Sequence, residues 1–155
     1  MAWSGYPIAR CNQPPPAALL RAIEEFNNQE YFECHETLEA LWNTEREAAH
    51  AVRGTTGQRQ SGQVYCDNLY KGILQVGVGC LHLLRHNYRG ATIKLQSGAD
   101  YLEPFAPACQ GVEVGRLIAD ARRLRVALVE LGPERFREVD LALMPRVHLV
   151  ADSSR

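Results

Sequence analysis

Apolar side chains recur every three or four positions along most of the chain, which is the spacing of amphipathic helices rather than of strands. The stiff lead-in Pro14-Pro15-Pro16 suits the first turn of a helix. After it, Leu19, Leu20, Ile23 and Phe26 share one helical face. Asn27-Asn28 predicts a stop there, because asparagine tolerates the left-handed conformation beyond a helix end. A second helix is predicted over 30–44, with Glu30 and Glu33 near the positive end of its dipole. The segment 45–63 contains the polar, glycine-rich string GTTGQRQSG and reads as a mobile surface loop. The most apolar helix follows over 68–86, and a short link at Asn87, a credible N-cap, starts a fourth helix to about residue 103. So short a link makes those two helices antiparallel neighbours. Pro104 and Pro107 break the chain before a fifth helix over 112–131, which Gly132-Pro133 ends. The tail is ambiguous, with a hint of alternation only over 139–150. The pattern predicts an all-α, single-domain bundle of about five helices over 17–131, preceded by a lead-in (1–16) and followed by a tail (132–155).

Polar groups on apolar faces are the sharpest functional signal. On a wheel with Tyr31 at zero, Leu41, Cys34 and Leu38 fall at about 280°, 300° and 340°, and Trp42, His35, Glu39 and Phe32 at about 20°, 40°, 80° and 100°. His35 and Glu39 therefore sit inside the predicted apolar arc, with Glu36 at its border. Burying an imidazole and a carboxylate is costly unless each finds partners. On the third helix, Lys71, Gln75, His82 and His86 form a narrow polar stripe bordered by Gly72 and Gly79, with Gly77 elsewhere. The helical glycines imply close backbone approach or room for a ligand. If the two stripes face each other, His35, Glu39, Gln75 and His82 converge in a partly buried polar pocket between the second and third helices. His86, near a helix end, is read as a dipole partner, and Lys71 as a residue snorkelling at the pocket edge.

Composition narrows the classes. The 155 residues are 46% apolar and 23% charged, with a net charge of −1, an ordinary globular balance. It gives no basic face for nucleic acid and no attraction to an anionic membrane. The beginning of the sequence has no signal-peptide pattern, and no run of 18 apolar residues could span a bilayer. Five cysteines without a CxxC pair, two of them in apolar helical patterns, fit a reduced cytoplasm.

Several chemistries fail on spacing. The string HETLE at 35–39 differs from the zinc motif HExxH at its last letter, and the single ExxH, at 47–50, falls short of the two that a ferritin-like di-iron site needs. Cys34 and Cys80 look like core thiols, and nucleotide motifs are missing. His35 and Glu39, at i and i+4, could still join His82 as a two-histidine, one-carboxylate set for a divalent metal such as zinc or iron.

The string EYFECHETLEALW at 30–42, followed by YKGILQ at 70–75, His82 and NYRGA at 87–91, resembles the domain of unknown function 309 family over about 17–131. The motif positions carried by this chain are His35, Glu36, Glu39, Trp42, Gln75, His82, Asn87 and Gly90. The chain departs from the family at Asn28, where a glycine is usual, and in the long 45–63 segment. The resemblance implies a small helical bundle and no established activity. The residues themselves suggest an uncharacterised protein with a pocket for a small molecule or a metal. His35, Glu36 and Glu39 are its catalytic candidates, Trp42, Lys71, Gln75 and His82 its ligand-binding candidates, and a homodimer is compatible. The alternative is a structural or protein-interaction module whose His–Glu network only specifies packing.

Overall fold

The computed structural model describes residues 11–56 and 66–151, with the backbone alone over 48–56. Its helices are α1 (Ala17–Asn27), α2 (Tyr31–Thr56), α3 (Asp67–Leu84), α4 (Tyr88–Leu102) and α5 (Val114–Leu131), with 3₁₀ turns at Glu103–Phe105, Phe136–Glu138 and Leu141–Leu143. The all-α bundle expected from the apolar period is what forms. α1 packs on α2, α2 on α3, α3 on α4 and α4 on α5, so chain neighbours are also spatial neighbours.

The largest departure from the expected elements is α2, which continues to Thr56 instead of ending at residue 44. Glu45 is buried in the added turns. The residues that follow, Arg46, Glu47, Ala48 and Ala49, are good helix formers, and they outweigh the single Gly54 at the far end. The first part of the predicted loop is thus helix, and its 57–63 portion lies outside the described residues.

α1 and α3 end in the same device. At the end of α1, Glu30 N–H donates to Glu25 C=O (2.8 Å) and Gln29 N–H to Phe26 C=O (3.0 Å). At the end of α3, Asn87 N–H donates to His82 C=O (2.8 Å) and His86 N–H to Leu83 C=O (3.0 Å). Both are Schellman closures, which need a left-handed residue at the penultimate donor. That residue is Gln29 (φ 63°) in the first and His86 (φ 62°) in the second. The asparagine stop therefore operates one residue later than predicted, since Asn28 itself has φ −90°. His86 serves the backbone turn.

The core lies between α3 and its neighbours. Phe26 and Tyr31 meet edge to face across the α1–α2 turn, with ring centres 5.5 Å apart. The Tyr70 hydroxyl donates to the buried Gln110 Oε1 (2.9 Å). α3 and α4 approach most closely. A Cβ placed on Gly98 would lie 2.8 Å from Val76 N and 3.0 Å from Gly72 O, so backbone meets backbone. The glycines of α3 thus mark helix contact. Gly72 and Gly79 lie against Leu102 and Leu95 of α4.

The ends close onto this bundle. Cys11 and Cys109 form a disulfide, while Cys34, Cys66 and Cys80 are buried and outside any disulfide. The expectation of a reduced compartment does not foresee that pair, because widely separated cysteines carry no local signature. The aperiodic tail packs as well. Phe136, Val139, Met144 and Val147 join the buried core, and the Asn27 side chain accepts from Val147 N–H and donates to Val147 C=O.

Gly98→Ala is expected to destabilise the protein by about 1–3 kcal/mol, because the added methyl meets backbone. Gly77→Ala, whose methyl would make ordinary contacts with the Phe26 ring at 3.5 Å and the Tyr31 ring at 3.7 Å, is expected to be neutral or stabilising by up to about 1 kcal/mol. Urea unfolding of the two variants checks this contrast. The same assay should show Gln29→Gly stabilised by about 0.5–1 kcal/mol, since it relieves the left-handed non-glycine residue.

Candidate functional site

The expected arc on α2 is wider than the buried one. Tyr31, Cys34 and Leu38 are buried, His35 and Trp42 are half-buried, and Phe32 is 53% exposed. Phe32 extends the apolar arc on the wheel but not in the molecule. Glu39, beside it, is therefore exposed, and so is Glu36. An exposed carboxylate keeps its hydration and gains little from holding an imidazole. Accordingly, among the described residues His35 makes no hydrogen bond or ion pair, and the expected His35–Glu39 network does not form.

The polar stripe of α3 is answered mainly by α4. The Ser97 hydroxyl donates to Gln75 Oε1. His82 Nδ1 lies 3.3 Å from Asn87 Nδ2 at the head of α4. Only the start of the stripe reaches α2. Lys71 Nζ stands 5.1 Å from the centre of the Trp42 ring and 4.7 Å from that of Tyr101, so one ammonium is shared by rings of α2 and α4. The Arg46 guanidinium also stacks on Trp42, at 4.8 Å, while donating to Asn43 Oδ1. Beside Tyr101 an open depression of about 370 Å³ is lined by Ser97, Asp100 and Tyr101. Among the described residues no hydrogen bond or ion pair joins His35 or Glu39 to Gln75 or His82, and it is Lys71 that stands between rings of α2 and α4.

The metal set does not assemble. No three His, Cys, Asp or Glu side chains among the described residues stand close enough to hold an ion, and His35, Glu39 and His82 are separated accordingly. The thiols are poor nucleophiles. Burial pushes both Cys34 and Cys80 up to about 12, with the Glu25 carboxylate adding to the effect at Cys34. Tyr31, which hydrogen-bonds Cys80, is raised for the same reason. His82 moves the other way: partial burial, then Lys94 and Arg85, lower its pKa and favour the neutral ring.

Tyr101, Ser97 and Arg46 escaped the wheel argument. Tyr101 and Ser97 are four residues apart on one face of α4, and with Lys94 they make a polar stripe legible at helical spacing. Arg46 fell in a segment read as loop.

No helix of the described residues is long and apolar enough to cross a membrane. No curated protein and no solved structure matches the chain. The second motif block, at 70–91, lies outside the stretch that a family model recognises. That stretch, residues 19–56, runs from within α1 to the end of α2 and matches the family model described as Domain of unknown function (DUF309).

Proposed function

We propose that the chain binds a small anionic molecule between Trp42 of α2 and Tyr101 of α4, with Lys71 as its anchor. One observation carries the reading: the Lys71 ammonium lies against two aromatic rings and has no carboxylate partner among the described residues. Asp100 of α4 and Glu103 of the following 3₁₀ turn both pair with Arg122 of α5 (3.2 and 2.5 Å). An ammonium held by ring faces keeps its N–H donors for an oxyanion, carboxylate or phosphate. The depression beside Tyr101, lined by Ser97, Asp100 and Tyr101, offers room beside the ammonium. Binding fits these groups better than catalysis does, since the thiols are held protonated and His35 has no orienting carboxylate.

A second reading has its own support. The Gln75–Ser97 and Asn87–His82 pairs both tie α3 to α4, which is what a network that only sets helix register would do.

The chain has two tryptophans, so a Trp3→Phe background leaves Trp42 as the reporter. Titration with inorganic phosphate, citrate and a nucleoside monophosphate should give a saturable change in Trp42 fluorescence with at least one of them. Lys71→Met should weaken that binding about tenfold or more while the circular dichroism spectrum stays helical. Silence toward all three, or equal binding by Lys71→Met, favours the register network.

A further inference from the structure

His82 is held at the α3–α4 junction by a residue with three tasks. The backbone N–H of Asn87 closes α3 on His82 C=O, its side-chain oxygen caps α4 by accepting from Gly90 N–H (2.9 Å), and its Nδ2 faces His82 Nδ1 (3.3 Å). A backbone N–H can only donate, so the atom of Asn87 that meets Gly90 must be oxygen. The other terminal atom is then the amide nitrogen, which has only hydrogens to offer. His82 Nδ1 must accept from it. A neutral imidazole that accepts at Nδ1 carries its proton on Nε2.

We infer that Asn87 is a positioning residue that fixes His82 as the neutral Nε2–H tautomer, leaving Nε2–H as a single donor for a hydrogen-bond acceptor. Packing holds the ring in this position. A Cβ on Gly90 would lie 2.7 Å from His82 Cγ and Cδ2, so the ring rests against the first turn of α4. Charge acts in the same sense, because Lys94 on α4 and Arg85 at the end of α3 both oppose an imidazolium. Among the described residues Nε2 has no protein partner. The inference concerns the His82 ring alone and holds whether or not Lys71 binds an anion.

Nitrogen-15 NMR of the full-length, histidine-labelled protein at alkaline pH tests it directly. The expected spectrum shows His82 Nδ1 with the shift of an unprotonated ring nitrogen and Nε2 with that of a protonated one. Protonated Nδ1 in the wild type overturns the inference. Asn87→Asp keeps a cap oxygen for Gly90 but turns an acceptor toward Nδ1. In that variant the two shifts should exchange, and a spectrum still showing Nε2–H overturns the inference. Should the variant not fold, the wild-type spectrum alone decides. A merely structural asparagine would leave the tautomer unmoved.

Discussion

The close approach of α3 and α4 is the contact on which the rest of the molecule depends. Gly72 and Gly98 let two backbones come together where larger side chains would hold them apart. The link between the helices is short enough that Asn87 belongs to both ends, closing one helix and capping the next. With the axes this near, residues that flank the glycines reach each other directly, as Ser97 reaches Gln75 and Asn87 reaches His82. α2 then packs on α3 and α5 on α4, and Trp42 of α2 meets Lys71 at the start of the α3 stripe.

Charge follows the same geometry. Arg122 of α5 pairs with Asp100 and Glu103, and the Lys71 ammonium is left against the ring faces of Trp42 and Tyr101. The opposite interior is made inert. Tyr31, Cys34 and Cys80 sit where desolvation keeps each protonated.

Helical period alone was enough to place five helices, the Asn87 cap and most of the core, since each rests on local spacing. The resemblance at 30–42 was legible for the same reason, and the matched stretch contains it. What could not be read depends on distance in the fold. Phe32 widened the apolar arc because a wheel gives every residue of a helix equal access to neighbours, while the real contact surface centres on Cys34 and Leu38. That error moved Glu39 inward and suggested a His–Glu pair. The partnership of α3 with α4, rather than α2, required knowing where the glycines meet. Gly54 suggested that the loop began too early, although one poor helix former at the end of a favourable run does not stop it. The Cys11–Cys109 bond joins positions that only the folded chain brings together.

The three buried cysteines outside the disulfide have a use of their own. Cys34 lies on α2, Cys66 at the start of α3 and Cys80 in its middle, all sealed from solvent. A thiol reagent can reach each one only when its surroundings open. The native chain therefore carries three site-specific clocks for local unfolding, and their relative rates would rank the breathing of adjoining parts of the bundle without any label being introduced.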